Sequence, residues 1–282
     1  MIDAIFENDN GKKFQFGIEG GNVFDMNIGN GISVDIGVSQ GFEQIGETVE
    51  TMKVKSRLID VKGAIYENIP ANKNKMRNVI SPFSSGKLII DNKYYTHVFV
   101  KSAPAFSTAK NNGKFAMSFL APFPFFYLID ATAVSLKGVT PEFSFPINYS
   151  IPHKFGLVRG QSYTNIVYNG DIKVPFSLKL SSRSSSSNIV ITNMNTLKFL
   201  KINGEIHAGE EVNIYRTSQN ILKAELISGG EITDILSWID EDSNLFELEF
   251  GDNVLQASDD DDGANLEANL IYNTVVATLY ED

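Results

Sequence analysis

The sequence predicts a mainly β protein: two antiparallel β-sandwich-like domains, the first bearing a short helix and a β-hairpin. Three observations lead there. Apolar residues recur with period 2, not 3.6, through most of the chain. In the second half, candidate strands follow one another at roughly 8–12-residue spacing, the rhythm of a sandwich. Finally, 282 residues with 43% hydrophobic content supply one large β domain or two ordinary ones.

The elements follow in order. Ile32-Ser33-Val34-Asp35-Ile36-Gly37-Val38 alternates apolar and polar residues, as a strand with one buried face does. Thr51-Met52-Lys53-Val54-Lys55-Ser56-Arg57-Leu58 behaves in the same way. Residues 71–80, bounded by Pro70 and Pro82, break the pattern: Met76, Val79 and Ile80 stand at i, i+3 and i+4. That spacing predicts a short amphipathic helix with Lys73, Lys75 and Arg77 mainly on its outward side. Lys87-Leu88-Ile89-Ile90, the turn Asp91-Asn92, and Lys93-Tyr94-Tyr95-Thr96-His97-Val98-Phe99-Val100 read as a β-hairpin. Phe115-Ala116-Met117-Ser118-Phe119-Leu120 gives a further strand.

Residues 119–129 are the most apolar stretch, too short and too broken by Pro122 and Pro124 to span a bilayer. The prolines in Ala121-Pro122-Phe123-Pro124-Phe125-Phe126-Tyr127 hold the chain extended, so its aromatics cannot all face one core. Some of them are therefore candidate interface anchors. Between Ile129 and Pro141 the aromatic density falls, which places a boundary there and divides the chain into 1–133 and 134–282.

The second half reads as β throughout. Residues 170–180 alternate around Pro175, which suggests an edge or bulge. Strands over 189–192, 197–202, 211–215 and 221–226 follow, then a single helical turn within 232–238. Residues 245–250 and 270–280 close the domain as strands.

Composition removes whole classes of chemistry. The chain has no Cys, which excludes disulfide scaffolds, thiol nucleophiles and Cys-ligated metal sites. Its three histidines, His97, His153 and His207, are widely separated, which argues against a multi-His metal centre. The N-terminus is acidic and lacks the basic and apolar regions of a signal peptide, so a soluble, acidic, reduced-compartment globular protein is expected. A net charge of −10 argues against a surface that grips nucleic-acid phosphates everywhere. That charge is uneven: residues 201–282 hold 19 acidic and three basic residues, whereas residues 1–130 hold 13 and 14.

No motif assigns catalysis. There is no Gly-x-Ser-x-Gly elbow, phosphate loop or dinucleotide fingerprint. His97 sits within a strand and reads as a packing residue. Asp259-Asp260-Asp261-Asp262-Gly263 fails the EF-hand template, since Ser258 and Asn269 fall where Asp and Glu are needed. A solvent-exposed hairpin tip is the favoured reading of that run and a weak, non-EF cation site the other. Ser181-Ser182-Arg183-Ser184-Ser185-Ser186-Ser187-Asn188 reads as a solvated strand connection in preference to a binding loop. No catalytic, cofactor-binding or metal-ligating residue is assigned.

A series of segments, in order along nearly the whole chain, resembles the distal tail protein (Dit) family of siphovirus-type phages and prophages. In the first half they are the strand at 54–58, the Arg-containing helix running to Pro82, Gly86-Lys87-Leu88 with its hairpin, and Phe119-Leu120-Ala121-Pro122-Phe123-Pro124-Phe125-Phe126. In the second half they are Phe143-Ser144-Phe145-Pro146, Tyr168-Asn169-Gly170-Asp171 leading to Val174-Pro175, and Ile191-Thr192-Asn193-Met194-Asn195-Thr196. Gly209-Glu210-Glu211-Val212, Phe246-Glu247-Leu248 and Gly251-Asp252-Asn253 complete the series. The acidic insert at 259–263 and the lengthened Ser loop depart from that pattern.

The resemblance implies a ring-forming N-terminal domain and an outward, galectin-like C-terminal sandwich. It implies a homohexamer in the virion, at the tail tip or baseplate, made in the cytoplasm of the host bacterium. The implied partners are further copies of the chain, the tail tube protein, the tail-associated hub or fibre protein and receptor-binding proteins. No cofactor, membrane, sequence-specific nucleic acid or enzymatic activity belongs to that role. Arg77, Phe123, Phe125 and Tyr127 are the candidate oligomer-interface residues. An alternative is a carbohydrate-binding module for host cell-wall glycans that uses Trp238, Tyr163 and Tyr168. A third reading is a β-sandwich glycoside hydrolase or lyase, for which no two of the 34 carboxylates are singled out.

Overall fold

The computed structural model describes residues 3–29, 31–108, 112–136, 139–141, 156–158, 163–217, 221–260 and 265–279. It is mainly β, with antiparallel pairing in every sheet. The chain forms two compact units, Met1–Asp130 with Val275–Asp282, and Ala131–Thr274.

In the first unit, seven strands pair in the order β2 (Lys13–Phe16), β1 (Ala4–Asn8), β7 (Ser85–Ile90), β8 (Tyr94–Phe106), β9 (Lys114–Ala121), β6 (Arg57–Ile65) and β3 (Asn22–Met26). The turn from β2 to β3 is tied by Asn22, which is fully buried. Its side chain accepts from the Gly17 amide and donates to the Gln15 and Gly20 carbonyls, so its burial leaves no polar atom stranded. Asp91 and Asn92 both adopt positive φ between β7 and β8, the conformation a two-residue hairpin turn demands.

Helix α1 (Ile69–Val79) forms as the spacing predicts, with Pro70 in its first turn. It buries Met76 and Val79 in a core shared with Phe6, Phe14, Phe16, Ile59 and Phe119. Phe6 and Phe119 stack at 5.1 Å between ring centroids. Strand β10 (Phe126–Ser135) pairs with the start of β8 through Tyr127 opposite Tyr95.

Two expected strands are real but unburied. Among the described residues, strands β4 (Val34–Ser39) and β5 (Thr48–Val54) pair only with each other, as a two-stranded ribbon exposed at every position but Gly37. The run 51–58 is two strands, since β5 ends at Val54 and β6 begins at Arg57. The expectation of one buried face is therefore corrected: Val34, Ile36 and Val38 are 42%, 51% and 44% exposed.

The second unit contains two antiparallel sheets. One has the order β19 (Glu231–Asp234), β18 (Leu222–Ser228), β17 (Glu211–Arg216), β14 (Ser177–Ser182), β21 (Leu266–Val276). The other runs β13 (Tyr163–Tyr168), β20 (Gly251–Ser258), β15 (Ser185–Asn193), β16 (Phe199–His207). A short pair, β11 (Val139–Pro141) with β12 (Gly156–Val158), stands apart. Each main sheet buries one face, with Leu178, Leu180, Val212 and Leu270 from the first and Ile166, Ile189, Ile191 and Leu255 from the second. Tyr168 and Tyr272 meet edge to face at 5.7 Å and join the two layers.

Three local expectations change here. Residues 245–250 are not a strand, because Leu248 makes only an isolated bridge to Val174. The Ser run is mostly strand: only Arg183 and Ser184 separate β14 from β15. Ser182 and Ser186 are buried with their hydroxyls hydrogen-bonded at 3.0 Å, whereas Arg183, Ser184 and Asn188 are exposed. Residues 232–238 divide into the end of β19 and a 3₁₀ turn at Leu236–Trp238. His153, Phe143, Phe145, Phe155 and residues 261–263 lie outside the described residues.

The last eight residues belong with the first unit, not with the 134–282 stretch expected as a domain. Val276 joins the first unit's core, and the Arg57 guanidinium donates to the Ala277 carbonyl at 2.9 Å. The same guanidinium donates to the Ile28 carbonyl at 3.1 Å and lies 4.7 Å above the Phe126 ring. Replacing Arg57 by Ala strands both carbonyls in a water-poor site, and a destabilisation of at least about 2 kcal/mol is expected. Urea unfolding monitored by tyrosine fluorescence measures it; a loss below about 0.5 kcal/mol would show that Arg57 does not hold the returning segment.

Candidate functional site

The outward face of the first unit's sheet carries a run of rings. In β8 the alternation sends Tyr94, Thr96 and Val98 inward and Tyr95, His97 and Phe99 outward. Register places Lys87 of β7 opposite His97, and Tyr127 of β10 opposite Tyr95. Tyr95 and Tyr127 stack at 5.2 Å, Tyr127 and Phe123 at 5.4 Å, and Phe123 and Phe125 meet at 5.1 Å. His97 stands edge-on to Tyr95 at 5.7 Å, and the Lys87 ammonium lies 5.1 Å from the Tyr95 ring centre.

Three of the four sequence candidates are therefore brought together. They are not equivalent. Phe125 is only 9% exposed and touches Phe123; Phe123 is 36% exposed, and Tyr127 is half-buried. Pro122 and Pro124 explain the split, because the interrupted chain between β9 and β10 turns Phe126 fully into the core and leaves Phe123 outside. Arg77 is elsewhere. It stands on α1, where its guanidinium lies 4.9 Å from the Phe106 ring centre, beside Lys73 at 5.5 Å.

Sequence reading missed Tyr95 and His97 as members of the aromatic run, although their period-2 placement in β8 carried the signal. Burial pushes the His97 imidazole below its ordinary range; Lys87 pushes in the same direction and Asp9 partly opposes it. Burial raises the Tyr95 phenol. Uncharged at neutral pH, these groups pack as rings; nothing in the arrangement supplies a nucleophile with a base aimed at it.

The residues of the carbohydrate reading are scattered. Tyr168 is fully buried in the core of the second unit. Tyr163 starts β13, at one edge of its sheet, while Trp238 packs over Gly204 of β16, at the other edge. A Cβ on Gly204 would fall 1.9 Å from the Trp238 ring, so that ring face is already occupied by backbone. In the acidic run, the Asp260 carboxylate accepts from Ser187 Oγ at 2.7 Å and Asn188 Nδ2 at 2.8 Å, which hold it below the usual carboxylate range. Among the described residues, no three His, Asp or Glu side chains converge as metal ligands. A small apolar pocket in the second unit is lined by Phe176, Leu200, Ile214, Leu245 and Phe246 with Arg216.

The class the fold defines is a mainly β protein of antiparallel sheets, with a cluster of stacked rings on one outward face. Residues 169–274 match the family model of the siphovirus-type tail component, C-terminal domain. Among solved structures, the chain is similar to the Dit protein of phage SPP1, with a TM-score of 0.68 at 10% identity, over 98% of this chain and 99% of that one. That protein is described as a paradigm of the hub adsorption apparatus in phages that infect Gram-positive bacteria. A chain of the activated phage P2 baseplate gives a TM-score of 0.49 at 12% identity, over 96% of this chain and 97% of that one. A comparison with curated proteins found no match. The resemblance to the distal tail protein family is thereby shown in sequence over residues 169–274 and in fold over nearly the whole chain.

Two outcomes are expected of this surface. Phe123→Ala leaves unfolding stability within about 1 kcal/mol, whereas Phe126→Ala costs about 3–5 kcal/mol; equal losses would place Phe123 in the core. In an NMR titration, His97 titrates below the ordinary histidine midpoint, and Lys87→Met raises that midpoint by removing a neighbouring cation. A midpoint unmoved by Lys87→Met would remove Lys87 from the site's electrostatics.

Proposed function

We propose that this chain is a structural, non-enzymatic component of a siphovirus-type phage tail: the distal tail hub at the tip or baseplate. In this reading, six copies form a ring through the first unit of a two-domain chain. The ring joins the tail tube to the tip and docks the hub or fibre protein and receptor-binding proteins. The second unit is then the outward, galectin-like module, and the subunits are made in the host bacterial cytoplasm before they enter the virion.

The observation that carries this reading is the agreement of two independent likenesses, the tail-component match over 169–274 and the fold match over 98% of the chain. The surface fits it. A ring subunit must expose apolar side chains that a monomer would bury; Tyr95, Tyr127 and Phe99 lie on one outward sheet face, and Phe123 of the β9–β10 connection stacks on Tyr127. Docking needs shape and register, not reactive groups, which suits uncharged rings held by stacking.

Mass measurement in solution with negative-stain microscopy tests the reading: rings of six copies are expected. Phe123→Ser with Tyr127→Ser should lower the assembled fraction while leaving the fold intact. A chain that stays monomeric at every concentration, and that binds neither tube nor hub proteins, would overturn the proposal.

A further inference from the structure

The sequence contains five Asn-Gly pairs, beginning at Asn10, Asn30, Asn112, Asn169 and Asn203. Such a pair carries its own reaction. A glycine has no side chain to shield its amide nitrogen, and the preceding side-chain amide can close on that nitrogen in a five-membered ring. Whether the ring closes depends on how firmly the fold holds the two groups. Asn30 lies outside the described residues.

Three of the other four pairs are held. The Gly11 amide donates to the Asn8 carbonyl at 2.8 Å, so its nitrogen is engaged in the turn between β1 and β2. Asn112 Oδ1 accepts from the Lys114 amide at 3.0 Å, and a Cβ on Gly113 would fall 1.8 Å from the Ile65 carbonyl oxygen. Asn203 Nδ2 donates to the Asp240 carboxylate at 3.0 Å, within β16, where the Trp238 ring covers Gly204. Each of these restraints must break before the glycine nitrogen can reach the side-chain carbonyl carbon.

Asn169-Gly170 is held by none. The register of β13 with β20 ends at Tyr168 opposite Gly251, one residue short of Asn169. The chain pairs again only at Val174, through its bridge to Leu248. Among the described residues, neither the Asn169 side chain nor the Gly170 amide makes a hydrogen bond. Asn169 is exposed and Gly170 is buried, and an unbonded amide in a buried residue is uncommon.

We propose that Asn169-Gly170 is a site of spontaneous covalent modification, at which the side-chain amide becomes a carboxylate by way of a succinimide. The Gly170 nitrogen gives its proton to solvent and bonds to Asn169 Cγ. The Cγ–Nδ2 bond then breaks, and Nδ2 leaves as ammonia with a proton taken from solvent. Water opens the ring at either carbonyl. Breaking the bond from Cγ to the Gly170 nitrogen leaves an aspartyl residue; breaking the bond from the backbone carbonyl carbon leaves an isoaspartyl residue, with a main chain one methylene longer. One water is consumed and one ammonia released. Either product sets a new negative charge beside Asp171, and the longer backbone displaces the end of β13, next to the fully buried Tyr168. The site does not depend on the assembly reading.

Ageing of the full chain tests it. The protein is held in mildly alkaline buffer, and peptides spanning the four described pairs are followed by mass spectrometry, with isoaspartyl methyltransferase labelling to mark the longer backbone. In the folded protein the Asn169 peptide should convert at least about tenfold faster than those of Asn10, Asn112 and Asn203, the rate equivalent of one net hydrogen bond. In urea the four rates should draw together, since only the fold separates them. Asn169→Gln, which must close a larger ring, should stop conversion at that position with the circular dichroism unchanged. An Asn169 peptide that ages no faster than the three held pairs overturns the proposal. So does a lead for Asn169 that persists undiminished in urea, because its cause is then the neighbouring sequence and not the unbonded backbone.

Discussion

The first unit depends on one buried cation. Arg57 begins β6, lies almost entirely out of water, and is held by two backbone carbonyls and the Phe126 ring. Burial alone would be costly for a guanidinium, and its pKa is pushed down accordingly. It remains charged because the group starts from so high a value that no ordinary shift reaches neutrality. The carbonyls come from Ile28, early in the chain, and Ala277, near its end. One side chain therefore ties together segments about 250 residues apart in sequence, at a site an apolar residue could fill but not bond. Val276 completes the closure by entering the same core as Phe119 and Phe126.

That constraint explains what the sequence could and could not reveal. Local elements were legible where a single period decides them. Met76, Val79 and Ile80 specify α1, Asp91-Asn92 specifies the turn into β8, and the alternation from Tyr94 onward specifies which rings face out. The return of the last residues was not legible, because nothing about Ala277 itself distinguishes it; only its carbonyl is used. Likewise Leu248 carries a strand-like pattern with its neighbours, yet its partner Val174 offers only one bridge. Serine composition misled for a related reason: a polar run suggests solvent until two hydroxyls, on Ser182 and Ser186, are found to satisfy one another.

The aromatic face was half visible. Phe123 and Tyr127 were identifiable from the prolines that stop a continuous core strand, whereas Phe125 shares that segment but turns largely inward. Tyr95 joins Tyr127 through cross-strand register, a property of pairing that one strand's sequence does not contain, whereas His97 follows Tyr95 by the period of β8 itself. Arg77 belongs with Phe106, on a different surface altogether.

The most instructive departure concerns β4 and β5, whose period was read correctly and whose burial was not found. Hydrophobic alternation reports that a face is to be kept from water; it does not say whose surface does so. A neutral or random loop would carry neither a compensating bulge, here between Gly37 and Val38, nor a hydrogen-bonded tip with two large apolar residues, Phe42 and Ile45, turned outward. Both features cost a solitary chain solubility and contribute nothing to its own core. They mark β4–β5 as a ribbon whose apolar side chains no described part of the chain covers.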